Sequence, residues 1–273
     1  MYPDEVSHLP IYEVLHQLKL RMSVVNEVVL QAAPGAGKTT VVPLALLDQD
    51  WLGNRKILVL EPRRRAARAA AARMSYLLGE PLGQTVGYRI RMESCVSDNT
   101  RIEVMTEGIL TQQLQRDPGL EKVGLVIFDE FHERNLDSDL CLALSLHGRN
   151  LFREGPPLKL LVMSATLDGE AVSKLLGDAP VIRSSGRQFP VETRYGEPHQ
   201  IQDSITAPTV RAVLEALRDQ TGSILVFLPG HREISTVARS LAESLKGHHE
   251  QRIQIAALYG GLSLERQQQA VMP

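Results

Sequence analysis

Two pairs of residues stand out for the chemistry their types and spacing permit. Lys38 and Thr39 close the run Ala32-Ala33-Pro34-Gly35-Ala36-Gly37-Lys38-Thr39, and Thr40 follows. This is the spacing of a phosphate-binding loop, with Ala32 where the pattern usually begins with glycine. Gly35 and Gly37 supply the backbone freedom that lets N–H groups turn inward onto phosphate oxygens. The helix expected after the loop adds partial positive charge at its N-terminus. On this reading residues 32–40 line a nucleotide, Lys38 bridges its β- and γ-phosphates, and the Thr39 hydroxyl ligates Mg²⁺. The second pair is Asp129-Glu130, directly after Leu125-Val126-Ile127-Phe128. Acids at the carboxyl end of a buried strand sit where open α/β sheets bind ligands. Asp129 can hold the Mg²⁺ shell with Glu130 beside it, and Glu130 can orient or deprotonate a water. An acidic pair after a strand is usually only a helix cap; the loop upstream favours the metal and base roles.

Positioning these groups takes a sheet. Apolar runs occur at Val28-Val29-Leu30, Ile57-Leu58-Val59-Leu60, Leu125 to Phe128 and Leu160-Leu161-Val162-Met163. Such runs suit strands buried on both faces. Helical patterns lie between them, for example Arg64 to Leu78 and Leu136 to Leu146, so the alternation predicts a doubly wound α/β domain. The stretch Gly177 to Pro208, rich in proline and glycine, reads as a link. Beyond it the pattern predicts a helix from about Thr209 to Asp219, a strand Ile224 to Leu228, a helix His231 to Leu245 and a strand Ile253 to Leu258. Two strands are few for a second doubly wound domain, which is expected to be incomplete here.

Composition narrows the classes. The 273 residues are 43% hydrophobic and 23% charged, which excludes a disordered, collagen-like or coiled-coil chain. No apolar run is long enough for a membrane helix, the start lacks a secretory core, and two well-separated cysteines favour a reducing, cytoplasmic setting. The net charge of -2 makes the whole chain no generic polyanion binder, so nucleic-acid contact must come from a local patch. Arg63, Arg64, Arg65, Arg68 and Arg73 form the densest basic cluster.

The acid pair continues as Asp129-Glu130-Phe131-His132-Glu133-Arg134, which resembles the DEAH box of superfamily-two RNA helicases, with Phe in the third place where Ala is usual. Other stretches resemble that family's motifs in order. They are Leu60-Glu61-Pro62-Arg63-Arg64-Arg65-Ala66-Ala67, Thr106-Glu107-Gly108-Ile109-Leu110, Ser164-Ala165-Thr166, Gly186-Arg187-Gln188-Phe189-Pro190-Val191-Glu192 and Ile224-Leu225-Val226-Phe227-Leu228-Pro229-Gly230. The Phe and the Ala-Ala-Pro loop look most like the bacterial HrpB-type helicases. The resemblance covers nearly the whole chain. It implies an ATP- and Mg²⁺-dependent RNA helicase built from two RecA-like P-loop domains, both α/β with mainly parallel sheets. The first would span residues 1–190 and the second, incomplete, 191–273.

Roles follow from the same resemblance. His132 would couple the nucleotide site to the partner domain, and Ser164 with Thr166 would link hydrolysis to domain movement. Arg63, Arg64, Thr106 and Glu107 would face single-stranded RNA, with DNA left open because only the 2′-OH separates the two. A carboxylate near phosphates would repel, so Glu107 fits a helix cap or a hydroxyl partner better. Arg73 would stack on the nucleotide base. Val271 stands where the family has an aromatic against the base. Contacts to phosphate and sugar carry no sequence code and imply strong salt dependence.

The family's arginine-bearing Gln-Arg-x-Gly-Arg-x-Gly-Arg stretch does not occur in these residues. An arginine finger is worth about 10³–10⁵ in rate, so this chain is expected to bind nucleotide but hydrolyse it slowly. The competing class is a nucleotide-switched RNA-binding module without unwinding activity. A transporter-type ATPase would need a Leu-Ser-Gly-Gly-Gln signature, which is absent, and a small-molecule kinase would lack the paired acids.

Overall fold

The computed structural model describes residues 6, 8–165, 169–184, 186, 191–198, 200, 203–246 and 253–271. The chain divides into two compact units, Met1–Pro190 and Val191–Pro273. The first contains α1 (Tyr12–Val24), β1 (Glu27–Gln31), α2 (Lys38–Leu46), β2 (Lys56–Leu60), α3 (Arg64–Leu78), β3 (Val86–Ile90), β4 (Glu93–Cys95) and β5 (Ile102–Met105). It continues with α4 (Glu107–Arg116), β6 (Val123–Phe128), a 3₁₀ turn (Phe131–Glu133), α5 (Leu136–Leu151), β7 (Lys159–Ser164), α6 (Gly169–Leu175) and β8 (Val181–Arg183).

The strands form one sheet in the order β4-β3-β5-β2-β6-β7-β1-β8. Every neighbouring pair is parallel except β3 with β4. Alternation along each strand sends successive side chains to opposite faces. Val28, Leu30, Ile57, Val59, Leu125, Ile127, Leu161 and Met163 join a core with residues of α1, α2 and α3. Val29, Leu58, Leu60, Val126, Phe128, Leu160 and Val162 join another with α4, α5 and α6. Helices therefore cover both faces, which is why the strands tolerate apolar residues at every position.

Register brings the chemistry to one edge. Gln31 pairs with Ser164, Phe128 with Val162, and Leu60 with Phe128. The phosphate loop, the acid pair, Glu61 and Ser164 thus leave the sheet at its carboxyl end. The predicted α/β class and the four apolar strands are present. The expected link is not wholly a link: Val181–Arg183 within it pairs with β1 as an edge strand.

The second unit contains α7 (Thr206–Asp219), α8 (His231–Ser244) and α9 (Leu264–Val271). Helix α7 starts three residues earlier than expected, because Pro208 in its first turn forfeits only an N–H that has no intrahelical partner. The strands predicted at Ile224–Leu228 and Ile253–Leu258 are not there. Among the described residues of this unit no backbone ladder forms. Ile224, Leu225, Phe227, Ile253, Ile255 and Leu258 are exposed. Extended segments become strands only when a neighbour accepts and donates their backbone bonds.

Candidate active site

The loop between β1 and α2 has the backbone its glycines were expected to supply. Gly35 has φ +75° and Gly37 φ +96°, both left-handed. At Gly37 a Cβ would also lie 2.8 Å from Leu9 Cδ1 and 3.2 Å from Ile11 Cγ2, so both conformation and space demand glycine there. The segment before α1 braces the loop in turn, since Ile11 N–H donates to the Ala36 carbonyl at 3.1 Å. Lys38 is buried, and its Nζ donates to the carbonyls of Ala32 (2.7 Å) and Ala33 (3.4 Å). It is folded back over the loop that it closes. Leu9, residues 35–40 and Glu130 line a cavity of about 280 Å³.

The two pairs singled out in the sequence meet. Thr39 Oγ1 donates to Asp129 Oδ2 at 2.5 Å, across 90 residues of chain. The other oxygen of Asp129 accepts from Glu130 N–H at 2.8 Å. Burial pushes the Asp129 carboxyl up, opposed by the Thr39 and Glu130 donors and the Lys38 charge. Glu130 is half-buried and is pushed up as well, by burial and then by the Asp129 charge, with Lys38 and His132 pulling the other way. A hydroxyl and a carboxylate are the hard oxygen donors that Mg²⁺ takes. Among the described residues no group of three or more His, Cys, Asp or Glu could cage a metal alone. The set fits an ion that keeps waters and shares phosphate oxygens.

Glu61 is the residue whose importance the sequence reading missed. It is 2% exposed and its Oε1 has no hydrogen-bond partner. Burial, with Asp129, Glu130 and Glu107 nearby, pushes its carboxyl up to about 9. The Asp129 contact acts through charge and through a bond that only protonated Glu61 can donate. Its sign in the sequence was a carboxylate closing the apolar run Ile57 to Leu60. Glu61 lines a second cavity, of about 410 Å³, with Thr39, Thr40, Arg63, Glu130 and Glu133. Ala66, Ala69 and Ala70 of α3 form its flat wall. Arg73 lies one helical turn further along that face, with its guanidinium 5.1 Å from the Tyr76 ring.

The other candidates divide. His132 Nδ1 lies 3.3 Å from Glu130 Oε2 and accepts from Ala165 N–H at 3.3 Å. It therefore bridges the acid turn and the residue after Ser164. Ser164 is buried at the end of β7, and its carbonyl accepts from Ala32 N–H. Thr166 lies outside the described residues. Arg63 is exposed, and its Nη2 donates to both carboxylate oxygens of Glu133 at 3.1 Å. Arg64 donates to the Arg91 carbonyl, and Arg68 pairs with Glu93. Thr106 is the residue before α4 and is half-buried. Glu107 needs correction as a strand-facing group. It is buried, and its Oε1 accepts from Ser138 Oγ (2.9 Å) and Asn135 Nδ2 (3.2 Å). Its charge is used inside the fold, joining α4 to the start of α5, as repulsion from phosphate would favour.

Comparison with known proteins agrees with this geometry. Residues 14–175 match the DEAD/DEAH box helicase family. The chain is 48% identical over 270 residues to the ATP-dependent RNA helicase HrpB of Escherichia coli, covering 98% of this chain and 32% of that protein. It is 36% identical over 266 residues to an ATP-dependent RNA helicase HrpA homolog of Haemophilus influenzae, covering 97% and 20% respectively. A crystal structure of the E. coli DExH-box NTPase HrpB matches with a TM-score of 0.83 at 47% identity, over 98% of this chain and 32% of that one. A crystal structure of the E. coli DEAH/RHA helicase HrpB matches with a TM-score of 0.85 at 47% identity, over 97% and 33%. The chain spans a third or less of the length of these relatives. With a family match over more than half its residues, and the loop and acid pair meeting at one sheet edge, this chain belongs to the DEAD/DEAH box helicases.

Proposed function

We propose that this chain carries the nucleotide site of an ATP-dependent RNA helicase, which couples Mg·ATP hydrolysis to movement along, or separation of, strands. The observation that carries the reading is the Thr39–Asp129 bond at 2.5 Å, with Glu130 on the cavity that the phosphate loop lines. The longer relatives are named ATP-dependent RNA helicases, and the activity of the whole protein is part of this proposal. Residues 1–190 would be the first RecA-like domain and 191–273 the start of the second.

The loop N–H groups and the N-terminus of α2 bind the triphosphate. Lys38 exchanges the Ala32 and Ala33 carbonyls for phosphate oxygens. Thr39 and Asp129 would hold Mg²⁺, with Glu130 beside them, and the ion when bound would supply charge neutralisation for the phosphoryl oxygens. Glu130, whose raised affinity for protons makes it a better base, orients and deprotonates the attacking water. His132 accepts from Ala165 N–H through Nδ1, 3.3 Å from Glu130 Oε2, which gives the backbone after Ser164 a route to the acids. Arg73 places a planar cation where a base could stack. Arg63, Arg64 and Thr106 grip strand backbone without reading sequence. Cys95 and Cys141 are free thiols, which supports a cytoplasmic setting. No helix among the described residues is long and apolar enough to cross a membrane.

ATP hydrolysis by the full-length protein, with and without single-stranded RNA, tests the reading. RNA is expected to stimulate turnover, with DNA as the parallel probe. Glu130→Gln is expected to keep ATP binding and lower turnover by about 10²–10⁴-fold. Unchanged turnover would reject Glu130 as the base and favour a nucleotide-switched RNA-binding module. The 273 residues alone are expected to bind ATP and hydrolyse it weakly.

A further inference from the structure

The turn after the two acids carries a contact that the proposed reaction leaves unused. Phe131–Glu133 is a single 3₁₀ turn, flanked by Glu130 (φ 48°) and Arg134 (φ 44°) in left-handed backbone. Neither is glycine, so the turn stores strain that surrounding contacts must offset. Upstream it is anchored where Asp129 accepts from Thr39. Downstream it is anchored where Asn135 and Ser138 meet Glu107. Between these anchors the Glu133 carboxylate reaches across to Arg63, both oxygens 3.1 Å from Nη2.

This pair differs from the anchors in being accessible. The Arg63 side chain is 73% exposed and that of Glu133 36%. Exposed ion pairs are weakly held. The pair also lines the cavity shared by Thr39, Glu61 and Glu130. Arg63 is one of the two arginines assigned to strand phosphate, and a guanidinium fork presents the same geometry to phosphate and to carboxylate. A strand held by several contacts at once can therefore displace a lone carboxylate from it.

We propose that Glu133 is a positioning residue: it restrains the acid turn in the strand-free protein by holding Arg63, and strand phosphate releases it. Release removes one restraint from the segment that Glu130 begins, while Phe131 stays packed on Phe128 and His132 stays bonded to Ala165 N–H. The inference rests on the helicase reading above and adds a regulatory contact to the same site.

The test follows ATP hydrolysis by the full-length protein as a short oligouridine RNA is titrated in. Glu133→Gln is expected to raise the strand-free rate and to lower the RNA concentration for half-maximal stimulation, each by about two- to fivefold. The RNA-saturated rate is expected to stay put. In an Arg63→Gln background, adding Glu133→Gln is expected to shift neither quantity by as much as about twofold. A general gain from losing one negative charge would shift both backgrounds alike, and that result overturns the proposal. So does an unchanged strand-free rate in Glu133→Gln. Glu133 is on the surface, so the variant does not threaten the core. A wild-type protein that hydrolyses ATP with no response to RNA removes the helicase reading, and this proposal falls with it.

Discussion

Leu125-Val126-Ile127-Phe128 and Ile224-Leu225-Val226-Phe227-Leu228 are nearly the same word in the sequence. The first is the middle of a sheet, with Leu125, Val126 and Ile127 fully buried and Phe128 1% exposed. The second carries no ladder, and Leu225 and Phe227 are 73% and 85% exposed. Local preference is equal in the two runs. The difference is that β2 and β7 stand on either side of the first and supply backbone partners. A parallel strand is thus a property of its neighbours, and apolar content only makes it eligible.

The largest expected effect separates the two phenylalanines. Phe128→Ala should lower unfolding free energy by about 3–5 kcal/mol, because it leaves a cavity between the sheet and its helices. Phe227→Ala should stay within about 0.5 kcal/mol in this chain. Urea unfolding of both variants checks the contrast, and equal losses would mean that the 224–228 run is packed after all.

A second contrast concerns two glycines with positive φ. Gly222 has φ +110° and open space around the missing Cβ, whereas Gly37 is hemmed in by Leu9 and Ile11. Gly37→Ala should weaken nucleotide binding by about tenfold or more, since left-handed backbone alone costs about 1–2 kcal/mol for alanine. Gly222→Ala should leave binding unaltered. Titration with a fluorescent ATP analogue reads both.

A third contrast is a pH dependence. Burial and the Asp129 charge push the Glu61 carboxyl from its ordinary value near 4.5 up to about 9 in the fold. Between those values the folded protein holds a proton that the unfolded chain has released. Its contribution to stability is complete below about 4.5 and is lost as pH rises towards 9. Glu61→Gln should therefore flatten the fall of Tm between about pH 5 and about pH 9, most visibly at the alkaline end. Glu192, exposed beside Arg194, should show no such change on conversion to Gln. A Tm profile of the Glu61→Gln protein that still falls as steeply as the wild type would remove Glu61 as the cause.

Much of the site was legible because its residues act through short-range chemistry. Gly35 and Gly37 announce a left-handed loop, and Asp129 after four apolar residues announces a strand end. Other features depend on contacts that no local pattern contains. Repulsion from phosphate pointed Glu107 to a helix cap or a hydroxyl, but which partners it meets, Ser138 and Asn135 some thirty residues away, no local pattern contains. Glu61 looked like one charge among many until Asp129 was placed beside it. The edge strand at Val181–Arg183 was hidden in a proline- and glycine-rich stretch because β1 supplies its partner.

The amino-acid order by itself determined which groups could bind phosphate and metal, where helices and buried strands could form, and which family the motifs resemble. Each of these follows from residue type and spacing along the chain. Only the tertiary structure decided that Thr39 meets Asp129, that Glu133 holds Arg63, and that one apolar run became a strand while its twin did not. Those outcomes depend on distance in space, which the sheet sets through its strand order and register.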